Sequence, residues 1–213
     1  MPTRPNRVWL PNPPKGTQIT AGFDGSETDD WTALRCQTRA GRQFTPRYGP
    51  DRRPTIWRPE EWGGEIPRDQ VAVAVSEVFE RWQVARMYCD PFGWRTEIGE
   101  WAAEHGAEKV VEWATNRQKP MYEAIKTFET DLRTGAITHD GCPLTEQAMG
   151  NARKVPLPGQ RYGLGKPHGE YHRKIDPAIA SILAREAAGD VTSTNGWDEK
   201  PRKKISDRMY GFN

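Results

Sequence analysis

The sequence predicts an α/β layer fold: a central mixed β-sheet that opens as an antiparallel meander and is flanked by helices. Three observations predict it. Strand-like stretches separated by turn-rich polar segments occupy residues 18–24, 32–38 and 55–57. From residue 67 onward helical and strand-like segments alternate. The length, 213 residues, suits one substantial core with ragged ends.

Residues 1–17 are proline-rich and read as a linker or extended arm, in which Val8-Trp9-Leu10 is apolar enough to pack on the body. After the three opening strands, residues 67–82 form a helix with Val71, Val75, Val78, Phe79 and Trp82 on one stripe. Residues 84–89 form a strand. Residues 94–104 form a helix with Ile98, Trp101 and Ala102 inward and Gly106 as its stop. A strand at 109–114 and a helix at 120–132 follow, the latter through Met121, Ala124, Ile125, Phe128 and Leu132 and ended by Gly135. A short helix at 145–152 leads into a basic stretch rich in glycine and proline. The last helix starts at Asp176 and runs to about Ala188. Residues 18–189 therefore form one domain, and 190–213 are expected to be a polar, loosely held tail that includes Lys200-Pro201-Arg202-Lys203-Lys204. In such a fold, crossover connections bring the ends of the first and fourth strands side by side, where sites tend to form.

Composition narrows the function classes. Only 35% of residues are hydrophobic, and 18 prolines with 20 glycines imply long loops or tails. The net charge of +2 says little, but its distribution says more. Arg153, Lys154, Arg161, Lys166, Arg173 and Lys174 face a single acid, Glu170, over residues 151–174, and six arginines face Asp51 alone over residues 39–58. Both stretches fit a track for a phosphate backbone beside a metal site, and each taken alone reads equally well as a solvated loop. Cys36, Cys89 and Cys142 have no CxxC spacing, so neither a disulfide framework nor a zinc finger is indicated, and a reducing compartment is expected. With no apolar run of roughly eighteen residues and no charged-then-apolar amino terminus, neither a membrane span nor a signal peptide is predicted, and the protein is expected to be soluble and intracellular.

Three aspartates carry the candidate chemistry: Asp24 in Ile19-Thr20-Ala21-Gly22-Phe23-Asp24-Gly25-Ser26, Asp90 in Val84-Ala85-Arg86-Met87-Tyr88-Cys89-Asp90-Pro91, and Asp176 in Lys174-Ile175-Asp176-Pro177-Ala178-Ile179. Each follows an apolar or aromatic run that carries it to the end of an element. Taken singly, Asp24-Gly25 is an ordinary hairpin turn, Asp90 before a proline closes a strand, and Asp176 before Pro177 is an expected helix N-cap. Brought together, they repel one another unless divalent cations sit between them, and such a cluster suits hard, oxygen-loving ions used in phosphodiester hydrolysis. Asp30 is a weaker candidate, an accessory metal ligand or a solvated turn. His139-Asp140 reads as a general-base pair, a DNA contact or, more simply, a turn with a structural hydrogen bond. His168 and His172 read as surface residues near the site. Tyr162 is a candidate for stacking on a base, whereas Trp82 and Trp101 belong to the core.

Gly22-Phe23-Asp24-Gly25-Ser26, followed by Asp29-Asp30-Trp31-Thr32-Ala33-Leu34, resembles the opening of the nuclease domain in large terminase subunits of tailed bacteriophages. Cys89-Asp90-Pro91 with Trp94 resembles the second acidic motif of that family, and Lys174-Ile175-Asp176-Pro177-Ala178-Ile179-Ala180 the third. Thr115-Asn116-Arg117, residues 121–132, Ile137-Thr138-His139-Asp140-Gly141 and Asn151-Ala152 also look like this family, in its actinobacteriophage branch. The similarity spans residues 18–188. It implies an RNase H-like fold in which Asp24, Asp90 and Asp176 bind two divalent metal ions, Mg²⁺ or Mn²⁺, with Asp24 bridging them. It also implies an endonuclease that cuts concatemeric double-stranded phage DNA during genome packaging in the infected bacterium, together with portal and small terminase subunit. One departure matters: the chain has no G-x-x-x-x-G-K-[ST] phosphate loop, and Gly163-Leu164-Gly165-Lys166 does not match one, so an ATPase motor is expected on a separate chain or domain. Two alternatives remain: an RNase H-like junction resolvase, or a non-catalytic module that binds DNA or portal.

Overall fold

The structure, a computed structural model, describes residues 8–198. In chain order its strands are β1 (Gln18–Asp24), β2 (Thr32–Thr38), β3 (Arg42–Phe44), β4 (Arg47–Tyr48), β5 (Arg53–Pro54), β6 (Ile56–Trp57), β7 (Gln83–Cys89), β8 (Val110–Glu112), β9 (Thr138–His139), β10 (Arg153–Leu157) and β11 (Arg161–Gly165). The helices are α1 (Arg68–Arg81), α2 (Arg95–His105), α3 (Gln118–Thr134), α4 (Pro143–Asn151) and α5 (Asp176–Ser193).

The main sheet runs β8-β7-β1-β2-β3-β9, with β6 also on β2. β1 and β2 pair antiparallel, from Ile19 opposite Thr38 to Asp24 opposite Ala33. β7 pairs parallel with β1, and β8 pairs parallel with β7. The sheet is therefore mixed and begins with the expected antiparallel turn. The expected adjacency of the first strand and the strand after α1 is that of β1 and β7.

Alternation along β1 separates two cores. Ile19, Ala21 and Phe23 are fully buried beside Val71, Ala74, Val75 and Val78 of α1 and Ile98 and Trp101 of α2. Phe23 meets Trp94 and Trp101 edge-on, with ring centroids 5.0 and 5.2 Å away. Thr20, Gly22 and Asp24 face the other way, toward α5. Thr20 Oγ1 donates to Ala184 O at 2.8 Å. A Cβ on Gly22 would lie 2.1 Å from Ala180 O and 2.4 Å from Ala184 N, so α5 lies directly on the backbone of β1. α3 joins α5 on this face through Ala124, Ile125 and Phe128, packed with Ile179, Ile182 and Leu183.

Several segments differ from expectation. The attachment allowed for residues 8–10 reaches further along the arm: Trp9 Nε1 donates to Asp140 Oδ2 at 3.0 Å, Asn12 Nδ2 to Thr45 O at 2.8 Å, and Gly16 N to Arg81 O at 2.7 Å. The basic stretch after α4 is a hairpin, β10–β11, which lies on α3 through an edge-on contact between Tyr162 and Tyr122. α5 continues through Gly189 to Ser193, where Asp190 accepts a hydrogen bond from Tyr88 Oη and Val191 packs on the buried Trp197. The described part of the expected tail is thus attached, while residues 1–7 and 199–213, including Lys200 to Lys204, lie outside the described residues. Leu132, expected inward, is 42% exposed because the last turn of α3 runs past the core. The three cysteines are free and buried. No helix among the described residues is long and apolar enough to cross a membrane.

Candidate active site

β1 and α5 run in opposite directions, and their periods match. Two strand residues advance about 6.7 Å and four helical residues about 6 Å. Thr20 meets Ala184, Gly22 meets Ala180, and the next step places Asp24 beside Asp176, the first residue of α5. Asp90 reaches the same place from β7. Its N–H donates to Phe23 O at 2.9 Å, which extends the β1–β7 pairing by one residue and sets Asp90 next to Asp24. The structure therefore brings the three sequence-predicted aspartates to the carboxyl ends of the neighbouring strands β1 and β7, at the start of α5.

Their electrostatics show the strain of that arrangement. Asp24 is raised well above the ordinary carboxylate range, by burial first and then by Asp176, Asp90 and Asp30, with Lys166 opposing. Asp176 is 8% exposed and is raised to about 7 by burial and Asp30, against its own backbone N–H and the two lysines 166 and 174. Its Oδ2 is buried without a hydrogen-bond partner. The expected capping role is not realised: Ile175 is the N-cap and no side chain bonds the first turn. An anionic oxygen withdrawn from water and left without a donor calls for a cation. Asp90 is steadied by Thr115, whose Oγ1 donates to Asp90 Oδ2 at 2.6 Å. Among the described residues, no three His, Cys, Asp or Glu side chains stand close enough together to hold an ion as they are. Thr115 holds the Asp90 carboxylate, and two lysines hold that of the neighbouring Asp30.

Asp30 lies beside this group in the loop between β1 and β2. Its N–H donates to Ser26 Oγ at 3.3 Å, and its Oδ1 accepts from Lys174 Nζ at 2.8 Å and from Lys166 Nζ. Burial works to raise Asp30, but hydrogen bonds and charge from Lys166 and Lys174 outweigh it and hold it below its usual value.

The remaining basic candidates are turned to other partners. Arg153 donates to Gly150 O and Ala152 O, Arg161 to Pro158 O, and Arg173 pairs with Glu170. Lys154 pairs with Glu129 at 2.9 Å and lies over the Tyr162 ring, so Tyr162 is committed to the hairpin and α3. In the 39–58 stretch Arg39 pairs with Asp198, Arg42 donates to Pro11 O, Arg58 pairs with Glu61, and Arg47 and Arg53 stack on Trp9 and Trp62. Asp140 is structural: it is 1% exposed in an ion pair with the fully buried Arg35, and His139 Nδ1 accepts the Gly141 N–H. His168 and His172 are exposed on the loop before α5. Thr115 and the pairing of Asp30 with two lysines were not predicted from chemistry. The only sequence signal for Thr115 was its place in the Thr115-Asn116-Arg117 resemblance.

The fold is the RNase H-like fold of phage large-terminase nuclease domains. The chain superposes on the HK97 bacteriophage large terminase with a TM-score of 0.63 and 18% identity, covering 84% of this chain and 40% of that one. It superposes on the large terminase nuclease from thermophilic phage G20c with a TM-score of 0.60 and 13% identity, covering 84% and 92%. A structure of that nuclease with bound magnesium gives 0.59 and 14% over the same shares. In sequence the chain is similar to the Gene 13 proteins of Mycobacterium phages D29 and L5, at 30% and 28% identity over 186 residues. That match covers 83% of this chain, which spans 30% of the length of either relative. No protein-family model matches.

Proposed function

We propose that the chain is the nuclease part of a phage large terminase, a metal-dependent endonuclease that cuts concatemeric double-stranded DNA during packaging. The observation that carries this reading is the meeting of Asp24, Asp90 and Asp176 at the carboxyl ends of β1 and β7, with a buried, unpartnered Asp176 oxygen among them. The fold, the similarity to phage Gene 13 proteins and the magnesium in the G20c nuclease support it.

Asp24, Asp90 and Asp176 would hold the ions, and the all-oxygen donor set suits Mg²⁺ or Mn²⁺, two of them on the reading favoured here. Bound there, divalent ions would supply Lewis-acid activation of water and offset charge on the phosphate under attack. The chain's own residues set the stage. Thr115 orients Asp90, the N-terminal turn of α5 fixes Asp176, and the Gly22 contact sets the distance between β1 and α5. Lys166 and Lys174 keep positive charge beside the cluster. An ATPase motor on another chain or domain, a small terminase subunit and a portal are the proposed partners, in the cytoplasm of an infected bacterium.

A non-catalytic DNA- or portal-binding module is the second reading, favoured by the absence of a ready-made ion cage among the described residues. Plasmid cleavage separates the two. We expect nicking and linearisation with Mn²⁺ or Mg²⁺, and none with EDTA or in Asp90→Asn. DNA binding without cleavage in any metal would favour the module.

A further inference from the structure

Lys166 and Lys174 are the two feet of a loop, separated by seven residues. Lys166 follows β11, and Lys174 lies two residues before Asp176. The loop holds its own shape through Glu170 N to Pro167 O at 3.0 Å and Arg173 N to Glu170 O at 2.9 Å. Its apex presents His168, Tyr171 and His172 to solvent, whereas its feet are only 20% and 14% exposed and converge on one oxygen of Asp30. Two ammonium groups on one carboxylate leave a surplus of one positive charge, largely withdrawn from water. A purely structural tie needs one lysine. The second lysine costs side-chain entropy and desolvation and gains only a shared acceptor. The surplus faces Asp24 and Asp176. Divalent ions on the three aspartates would claim those carboxylates, and the surplus charge would then need an anion. A phosphodiester carries one negative charge.

We propose, resting on the nuclease reading above, that Lys166 and Lys174 receive the DNA phosphate at the point of cleavage through its non-bridging oxygens, and that Asp30 is the clamp that holds them there. Asp30 on this account does not ligate metal, because two ammonium groups already occupy its Oδ1. Charge-assisted donors of this kind fix a phosphate in position as well as bind it.

The test is binding of a short fluorescein-labelled DNA duplex to the full chain, by anisotropy, in Ca²⁺ and in EDTA at one salt concentration. Lys166→Gln and Lys174→Gln are each expected to weaken binding about tenfold in Ca²⁺ and less in EDTA. Lys174→Arg, which keeps the charge, is expected to stay within about threefold of wild type, as is Arg133→Gln on the far end of α3. Asp30→Asn is expected to bind DNA at least as well as wild type yet lose turnover, with KM little changed, since the lysines are free but unplaced. Wild-type duplex binding by both glutamine variants would overturn the proposal. So would a tenfold loss in Lys174→Arg, which also decides the matter if Lys174→Gln fails to fold. If the wild-type chain cuts no plasmid in Mn²⁺ but the glutamine variants still lose duplex binding, the nuclease reading fails and the phosphate clamp stands. If it cuts plasmid and those variants bind normally, the clamp alone fails.

Discussion

Asp90 takes its place from a neutral partner. Charged neighbours dominate what acts on Asp24 and Asp176, but Thr115, in the loop that follows β8, offers Asp90 its hydroxyl at 2.6 Å and its backbone N–H at 3.5 Å. A neutral donor orients a carboxylate without claiming its charge, so Asp90 remains open to a cation. Thr115→Val keeps the shape and removes the hydroxyl donor, leaving only the longer backbone N–H contact. We expect it to cost about 1 kcal/mol of stability and at least about tenfold in plasmid cleavage, with the Mn²⁺ requirement shifted to higher concentration. Unchanged Mn²⁺ titration in that variant would deny Thr115 the positioning role. Asp24→Asn tests the cluster itself. Cleavage should disappear while thermal unfolding is undiminished, since the substitution removes a like charge that burial already opposes. These residues differ in how far the sequence exposed them. Each aspartate ends an apolar run, a pattern readable along the chain. Thr115 depends on which loop folds back over β7, and Asp30 on which lysines cross to it, and neither leaves a local trace.

At the scale of elements, the contact between β1 and α5 sets the site. Gly22 is required there because a side chain would enter the helix backbone, with Ala180 O at 2.1 Å and Ala184 N at 2.4 Å. Neither atom is the end of a flexible side chain, so the helix as a whole must move. Gly22→Ala is expected to destabilise the chain by about 3 kcal/mol, measured by denaturant unfolding, and to abolish cleavage even where the fold survives. An unfolding midpoint like that of wild type would mean that α5 slides on β1 without penalty. β1 and β2 were legible because they are buried on both faces, β7 because its last three residues are, and α1 and α3 because they carry apolar stripes. The hairpin β10–β11 was not. Its residues are exposed or half-buried on both sides, it contains Pro156 and Gly163, and its support comes from Tyr122 and Glu129 of α3. The far end of α5 passes the expected end near Ala188 for a related reason. Asp190 bonds Tyr88 and Val191 packs on Trp197, and these tertiary contacts outweigh the low helix propensity of Gly189.

Across the whole molecule two sets of aspartates oppose each other as pH changes. Asp140 ties together the arm at Trp9, the sheet at Arg35 and Thr45, and the start of α4 at Cys142. Burial works to raise it, but Arg35 and the N–H donors of Thr45, Trp9 and Cys142 outweigh that and hold it below its usual value, as the lysines do for Asp30. For these two, stability is present above the ordinary aspartate value of 3.8 and is lost as pH falls through their lower folded values. Asp24 and Asp176 have the opposite sign. The folded chain holds their protons longer than the unfolded chain does, so the stability that this lends is lost as pH rises from 3.8 toward about 7, and is absent above that. Without divalent ions, the unfolding temperature should therefore peak at mildly acidic pH and fall by roughly 5 °C between about pH 5 and about pH 8. Asp176→Asn should flatten the alkaline side and leave the acidic side, set by Asp140 and Asp30, untouched. Mg²⁺ should restore the alkaline side in the wild type but not in Asp176→Asn, because ion binding needs the ionised carboxylates and takes up their repulsion. Thermal unfolding from acidic to alkaline pH, in EDTA and in Mg²⁺, measures all of this on one chain without any substrate. An alkaline side that neither Mg²⁺ nor Asp176→Asn alters would mean that the three carboxylates are not a cation site, whatever nucleic acid the protein binds.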